Sequence, residues 1–235
     1  MDYFHVLPAA GSATRMGGLP KYLLPIGESA KPLLYFHLKM AFNSATPTIL
    51  MVHPKMFDYV SELCASWKFL SIQIKTILSN TMTETCQGAV NDLRDDNYVS
   101  ISMPDTFFTQ MLSNEYNPLA SLHKTNPSLA IWNIQRFQIG KLGQVQVDTI
   151  FGKVLAMIDK NESCAYKYSW GMLSVKVSLL RSFPVLDSHP GISLSRMLKD
   201  GLQIDSILQK DRYWDCGTPQ EYATALQLSL NATPQ

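Results

Sequence analysis

The N-terminal half of the chain alternates between short apolar runs and longer segments whose apolar residues recur at helical spacing. Runs such as YFHVLPAA, TPTILMVH, SIQIKTIL and YVSISMPD are separated by the segments KPLLYFHLKMAFNSA, KMFDYVSELCASWKFL and TCQGAVNDLRDD. Strands that are apolar along most of their length are usually buried on both faces, as in parallel sheets. The alternation therefore predicts an α/β fold with a mostly parallel sheet between two layers of helices.

The second half is less regular, and it predicts further strands, some of them antiparallel. These strands are SLAIWNIQRF, GQVQVDTIFGKVLAMIDK, YSWGMLSVKVSLL and LQIDSIL, and ISLSRMLKDG and TPQEYATALQLSL are predicted helices. Thr218, Pro219 and Glu221 form a capping box at the start of the last helix. Because the sequence contains no internal repeat or clear linker, we expect residues 1–235 to form a single domain.

Composition excludes several classes of protein. Hydrophobic residues make up 46% of the chain and charged residues 17%, as in folded globular proteins. Twenty basic and 19 acidic residues give a net charge of +1, so nucleic acid or an anionic membrane is not an expected partner. The cysteines, Cys64, Cys86, Cys164 and Cys216, form no CxxC pair, and the N-terminus has no signal-peptide pattern. These features predict reduced thiols and a cytoplasmic location.

A glycine turn with two nearby cations follows the first apolar run. Gly11 permits a tight turn, Arg15 is suited to bidentate contact with phosphate, and Lys21 adds a mobile positive charge. The stretch is not a dinucleotide fingerprint, because Ala13 and Met16 stand where the second and third glycines would be, and no P-loop motif is present. From the residues alone, both a phosphate-binding loop and a simple strand-to-helix turn with solvated cations remain open.

The whole stretch LPAAGSATRMGGLPKYLLPIGESAKPLL resembles the N-terminal signature of sugar-phosphate nucleotidyltransferases. That signature reads roughly L-A-A-G-x-G-T-R-[ML], then P-K-x-L-x-P-[IV], then K-P, and Ala13 replaces its second glycine. The matching residues are Ala9, Ala10, Gly11, Thr14, Arg15, Met16, Pro20, Lys21, Leu23, Pro25, Lys31 and Pro32. The resemblance implies a Rossmann-like nucleotidyltransferase fold with a three-layer α/β/α arrangement.

The resemblance also implies roles for this loop. The segment formed by Ala10, Gly11, Ser12, Ala13 and Thr14 would hold the triphosphate of a nucleotide. Arg15 would bind phosphate oxygens, and Lys21 would stabilise the transition state, so these two residues are the expected catalytic residues.

Two aspartates, far apart in sequence, are the candidate metal ligands. Asp105 ends the apolar strand SISMPD, and Asp215 lies in YWDCGTPQEY just before the last helix. By itself Asp105 also fits a helix cap or turn residue. In the family that the chain resembles, an aspartate after the central strand and a second one in a late W-x-D-x-G-T-P motif hold the metal, so the resemblance implies a Mg²⁺ site at Asp105 and Asp215.

The middle of the chain contains the expected base-binding loop. TMTETCQGAVNDL lies where the family often has G-T-A-x-A, and Thr85 and Gly88 are the nearest matches that we expect to contact the nucleotide. Gln87 fits either a hydrogen bond to the edge of the base or an ordinary place on the surface of a helix.

The acceptor side is expected further along the chain. AMIDKNES resembles the family's E-K-P segment, which implies that Lys160 contacts the phosphate of the sugar phosphate. Gly171 matches a glycine that gives room for the sugar, and Gly191 stands where many relatives have a glutamate that binds sugar hydroxyls.

The implied reaction is Mg²⁺-dependent transfer of a nucleotidyl group from a nucleoside triphosphate to a sugar 1-phosphate, with release of pyrophosphate. Two alternatives remain open: a cytidylyltransferase for a phosphorylated alcohol such as phosphocholine, and a catalytically inactive regulatory protein that binds nucleotide sugars. Relatives are often dimers or tetramers, so a homo-oligomer is also compatible with the resemblance.

Overall fold

The structure, a computed structural model, describes residues 2–11, 17–112, 117–122 and 126–231. These residues fold into an α/β structure. The strands are β1 (Tyr3–Ala9), β2 (Pro25–Ile26), β3 (Lys31–Pro32), β4 (Thr48–Val52), β5 (Ile72–Thr76), β6 (Tyr98–Ser102), β7 (Thr106–Phe108), β8 (Ser128–Asn133), β9 (Gly143–Asp148), β10 (Lys153–Asp159), β11 (Tyr168–Lys176), β12 (Asp205–Leu208) and β13 (Tyr213–Asp215). The helices are α1 (Leu33–Asn43), α2 (Phe57–Trp67), α3 (Met82–Ala89), α4 (Pro118–Leu122), α5 (Val177–Arg181), α6 (Pro190–Lys199) and α7 (Pro219–Asn231).

Among the described residues, nine strands form one mixed sheet in the order β5-β4-β1-β6-β11-β8-β12-β10-β9. The strands β5, β4, β1 and β6 are mutually parallel, as the alternation of strands and helices predicts. β11 is antiparallel to both β6 and β8, and β9 and β10 form an antiparallel hairpin. The sheet is therefore mixed, as the antiparallel strands predicted in the second half require, although that half also contains the parallel pair β8 and β12.

Helices pack on both faces of the sheet, because successive strand residues point in opposite directions. Leu7 and Leu50 belong to a core cluster that includes Leu34 of α1 and Val60 of α2. Their neighbours in β1 and β4, Val6 and Ile49, belong to a second cluster. That second cluster includes residues of α3, α5 and α6, namely Cys86, Ala89, Val177, Leu180 and Leu194.

A short two-stranded ribbon joins distant parts of the chain beside the main sheet. β7 and β13 pair antiparallel, with Asp215 opposite Thr106. The backbone N–H of Cys216 extends the ribbon by donating to the carbonyl oxygen of Asp105 at 3.1 Å. This pairing brings the segment after β6 next to the segment before α7.

The prediction that Thr218 caps α7 is confirmed, but the Glu221 carboxylate accepts from the Thr218 hydroxyl, whereas in a capping box it accepts from the backbone N–H. Thr218 precedes α7, and its hydroxyl oxygen accepts from the Glu221 backbone N–H and donates to the Glu221 carboxylate. The four cysteines are buried and unpaired. In the part of the chain that the structure describes, every helix is too short or too polar to span a membrane.

Candidate active site

A cavity of about 370 Å³ opens at the carboxyl ends of the parallel strands. Ligands in open α/β sheets bind at this edge. One side of the cavity is formed by Gly11, which follows β1, and by the segment from Ser79 to Met82 together with Thr85. The other side includes Lys141, Asp159, Lys160 and Trp170 from the C-terminal half. Both halves of the sequence therefore contribute to one cavity.

Asp105 and Asp215 line this cavity together, although 110 positions separate them in the sequence. The β7–β13 ribbon is the reason, since it aligns the residue before β7 with the end of β13. The arrangement agrees with the shared crevice that the resemblance implied for these two carboxylates.

The electrostatics of the two carboxylates reflect their closeness. Burial, and next the negative charge of Asp105, raise the pKa of Asp215 to about 6. Lys21 and Lys160 oppose this rise. Two carboxylates of like charge in a partly buried site favour the binding of a cation between them.

Lys21 forms an ion pair with Asp105. Its ammonium group donates to Asp105 Oδ2 at 3.2 Å, and its side chain is only 12% exposed. It begins a short 3₁₀ turn after Pro20, and the preceding Gly17 and Gly18 have φ values of 64° and 86°, which favour glycine. Lys21 lies in a small adjoining cavity shared with Gly11 and Asp105, so it approaches the site from the side of the first loop.

Lys160 lies on the opposite side of the cavity, immediately after β10. Its φ is 47°, a left-handed conformation that is uncommon for a residue with a side chain. Its backbone N–H donates to the Leu142 carbonyl at 3.3 Å, which ties this turn to the segment before β9. Ala30, Ala45, Lys68 and Ser71 share this conformation outside the cavity, so it does not by itself mark a binding residue.

The remaining predicted residues have different outcomes. Thr85 and Gly11 line the cavity, whereas Ala10 is buried behind it. Gly88 faces Ile77, whose Cδ1 would lie 2.7 Å from an added Cβ, so this glycine allows α3 to pack closely. Ser12, Ala13, Thr14 and Arg15 lie outside the described residues.

Gly171 has a different structural role from the one that the resemblance implied. It lies at a bulge in β11, and an added Cβ would lie 2.3 Å from the Tyr213 ring and 2.9 Å from Trp132. The space at this glycine is therefore filled by aromatic side chains of the protein. Tyr213 itself lines the cavity, so Gly171 acts on the site by letting Tyr213 pack there.

Gln87 is directed away from the cavity. Its side-chain amide donates to the carbonyl oxygens of Leu180, Arg181 and Phe183 at 3.0, 3.3 and 2.7 Å. Leu180 and Arg181 are the last two residues of α5 and Phe183 follows shortly after, so Gln87 binds carbonyls at the C-terminal end of this helix. The hypothesis that Gln87 reads the base is therefore wrong, because its donors stabilise the end of a helix.

Several residues of the cavity were not among the predicted site residues, and three of these have acidic or basic side chains. Lys141 Nζ lies 3.6 Å from Oε1 of Glu221, which is in the first turn of α7. Asp159 and His189 face each other, with 3.1 Å between Oδ2 and Nε2. The pKa of Asp159 is lowered, chiefly by His189. The E-K-P resemblance pointed to the position of Asp159, but no motif marked His189 or Lys141.

The donor set fits Mg²⁺. This ion binds proteins through one or two carboxylates and completes its shell with water and substrate phosphate. Asp105 and Asp215 supply two carboxylates, and the described residues contain no group of three or more acidic, histidine or cysteine side chains that could hold a metal alone. A site of this kind binds the ion together with a phosphorylated substrate.

Comparisons with known proteins agree on the fold. No family model and no curated protein matches the sequence. A UDP-glucose pyrophosphorylase solved with UDP-glucose superposes with a TM-score of 0.75 at 15% identity, covering 97% of this chain and 98% of that one. A putative glucose-1-phosphate thymidylyltransferase from Bacillus anthracis gives 0.77 at 15% identity, covering 97% and 95%. A UTP-bound UGPase from Acinetobacter baumannii gives 0.72 at 13% identity, covering 97% and 93%.

The chain thus has the fold of sugar-phosphate nucleotidyltransferases over nearly its whole length. The resemblance that rested on the two terminal motifs is confirmed at the level of the fold.

Proposed function

We propose that the protein is a Mg²⁺-dependent nucleotidylyltransferase that converts a nucleoside triphosphate and a sugar 1-phosphate into a nucleotide sugar and pyrophosphate. The supporting observation is the meeting of Asp105 and Asp215 in the cavity that also contains Gly11 and Lys160. The fold shared with UDP-glucose pyrophosphorylase and with a thymidylyltransferase supports the same reaction class.

The triphosphate lies at the side of the cavity formed by the first loop. Gly11 and Thr85 flank that side, and among the described residues no atom lies within 4 Å of an added Cβ at Gly11, which supports close approach of a phosphate to the main chain. As the resemblance implies, Ala10, Ser12, Ala13 and Thr14 would hold the triphosphate together with Gly11, and Arg15 would bind phosphate oxygens. Gly88, a predicted nucleotide contact, lets α3 pack closely against Ile77.

The acceptor lies at the opposite side, where Lys160 binds its phosphate. A phosphate oxygen of the sugar 1-phosphate attacks the α-phosphorus of the triphosphate. The bond from the α-phosphorus to the oxygen that bridges to the β-phosphorus breaks, and pyrophosphate leaves with that electron pair. The attacking oxygen is already an anion at neutral pH, so no side chain has to remove a proton.

The main difficulty of the reaction is the mutual repulsion of two polyanions. Lys21 and Lys160 reduce this repulsion from opposite sides of the cavity, and Lys21 adds a preorganised charge near the reacting phosphorus. Asp105 and Asp215 would hold Mg²⁺, which when bound neutralises phosphate charge and polarises the phosphoryl group.

We also infer that residues 1–235 form one Rossmann-like domain with a three-layer α/β/α arrangement, working in the cytoplasm as a monomer or homo-oligomer. The single-domain proposal is supported by the continuous sheet, since β6 of the first half pairs with β11 of the second. The cytoplasmic location is supported by the four buried, unpaired cysteines.

The decisive experiment is pyrophosphate release across a matrix of nucleoside triphosphates and phosphorylated acceptors, with Mg²⁺ and with EDTA. We expect release only with a matched nucleotide and sugar 1-phosphate, and none from Asp105→Asn or Asp215→Asn. Asp148→Asn is the matched control, because Asp148 ends β9 away from the cavity lining and its carboxylate accepts from the backbone N–H groups of Ile150 and Phe151.

Other outcomes of the matrix distinguish the alternatives. Release with CTP and phosphocholine would identify a cytidylyltransferase for an alcohol phosphate. Tight nucleotide binding without release for any pair would indicate a regulatory protein and would contradict the proposed reaction.

A further inference from the structure

A wall of three side chains separates the main cavity from a second cavity of about 260 Å³. Asp159, Trp170 and His189 line both cavities. The second cavity continues along α6, where it is lined by Ile192 and Ser195. The Asp159–His189 pair therefore lies where an acceptor larger than its phosphate would pass from one space into the other.

The imidazole of His189 is paired through one of its two ring nitrogens. Its Nε2 forms an ion pair with Asp159 Oδ2 at 3.1 Å, whereas its Nδ1 is buried without a hydrogen-bond partner among the described residues. The side chain is 13% exposed. Buried polar atoms in native proteins are nearly always hydrogen-bonded, so an unpaired Nδ1 on a side chain that lines two cavities indicates that a ligand supplies the partner.

Two glycines leave the space that the side chains of Trp170 and His189 occupy beside the cavities. An added Cβ at Gly191 would lie 2.5 Å from Trp170 Cζ2 and 3.0 Å from His189 Nδ1. An added Cβ at Gly143 would lie 2.3 Å from Trp170 Nε1. The indole thus lies between two residues without side chains. Since the indole and the imidazole occupy the space beside position 191, a carboxylate side chain at that position would not fit.

We propose that His189 is the residue that recognises a hydroxyl group of the acceptor, with Asp159 orienting the imidazole. The assignment rests on the proposed function and deepens it. The acceptor is a polyhydroxylated phosphate, whose ring extends past the Asp159–His189 pair into the second cavity. Phosphocholine, which has no hydroxyl on its choline group, gains nothing from this pair. His189 would therefore bind a hydroxyl group in place of the glutamate that many relatives have at the position of Gly191.

The test combines variants of the protein with deoxy analogues of the acceptor. The best sugar 1-phosphate from the matrix, and analogues of it that each lack one hydroxyl, are assayed with wild type, His189→Ala, His189→Gln and Asp159→Asn. We expect His189→Ala to raise the KM for the intact acceptor roughly 10-fold, the usual effect of losing one hydrogen bond, with kcat and the KM for the nucleotide nearly unchanged. Against one deoxy analogue the same variant should match wild type.

Two further variants separate recognition from folding. His189→Gln keeps an N–H donor and should recover part of the lost affinity, whereas Asp148→Asn should behave as wild type with every acceptor. His189 precedes α6 without a side-chain capping bond, so its replacement removes no helix cap.

The outcomes are distinguishable. If wild type releases no pyrophosphate with any acceptor, the proposed function fails, and the assignment of His189 fails with it. If wild type is active and His189→Ala discriminates among the deoxy analogues as wild type does, the assignment of His189 is wrong and the proposed function stands.

Discussion

The environment of Asp215 disfavours the ionised form of its carboxylate. Burial and the charge of Asp105 raise its pKa to about 6, so near neutral pH it is ionised in spite of its surroundings. No hydrogen bond to its carboxylate is present in the described structure. Residues that lower the stability of the folded state are typical of functional sites.

This position gives a prediction on stability. Asp215→Asn should stabilise the metal-free protein by about 1–3 kcal/mol at about pH 7.5, because the amide removes the charge repulsion. The free energy of unfolding in urea, measured with EDTA, checks it.

Asp211→Asn is the matched control and should destabilise instead. The Asp211 carboxylate accepts hydrogen bonds from Trp132 Nε1, the Gln110 backbone N–H and the Thr109 hydroxyl, and an amide nitrogen would face these donors. Equal destabilisation by both substitutions would show that Asp215 is a structural residue.

Lys21 gives a prediction on activity. Lys21→Ala removes the cation that pairs with Asp105 at 3.2 Å and should lower kcat by roughly 10²–10³, as loss of a preorganised donor does. The thermal unfolding midpoint should change little, because this side chain makes its one hydrogen bond, among the described residues, to Asp105.

Lys75→Ala is the matched control, since Lys75 forms an ion pair with Asp92 at 2.9 Å outside the cavity. Normal turnover by Lys21→Ala would exclude its catalytic role.

At the level of elements, a buried polar chain links β1, β6 and α1 beneath the site. His37 on α1 contacts Ser102 Oγ at 3.2 Å and the Thr106 carbonyl at 3.0 Å, and Ser102 Oγ lies 3.1 Å from His5 Nε2 on β1. Because Thr106 follows Asp105 directly, these contacts connect the helix and two strands to the segment that places a candidate metal ligand.

This chain of contacts predicts a pH dependence of stability. Burial lowers the pKa of His37 from 6.5 to about 4. Between these values the unfolded state binds a proton that the folded state does not, so the stability due to neutral His37 is present above about pH 6.5 and is lost as the pH falls toward 4. The loss from this group is at most about 3 kcal/mol.

Urea unfolding across this pH range checks the prediction against His37→Leu. The variant should be less stable near neutral pH, because Ser102 and the Thr106 carbonyl lose a partner, but its stability should fall less steeply with acid. Parallel curves for the two proteins would contradict the assignment to His37.

At the level of the whole molecule, the site lies between a half with parallel strands and a half whose strands are largely antiparallel. The parallel strands supply the side with Gly11 and Asp105, and the antiparallel strands supply Lys160, Trp170 and Asp159. β11 connects them, because it pairs with β6 on one side and β8 on the other.

The N-terminal strands and helices could be predicted from sequence because their apolar spacing is local and regular. The predicted segments contain β1, β4, β5 and β6 and the helices α1 and α2. The β7–β13 ribbon could not be predicted in this way, since Thr106–Phe108 and Tyr213–Asp215 are three-residue strands that pair only across the fold. The roles of Gln87 and Gly171 also depended on side chains far away in the sequence.

By itself the sequence determined the alternation of strands and helices in the first half, the cap at Thr218 and the two terminal motifs that contain Lys21 and Asp215. Each of these features depends on residues that are close together in the sequence. Only the tertiary structure decided that Asp105 and Asp215 share a cavity, and that His189 faces Asp159 beside a second one. Contacts between residues distant in sequence depend on how strands pair and helices pack, and no local pattern contains that information.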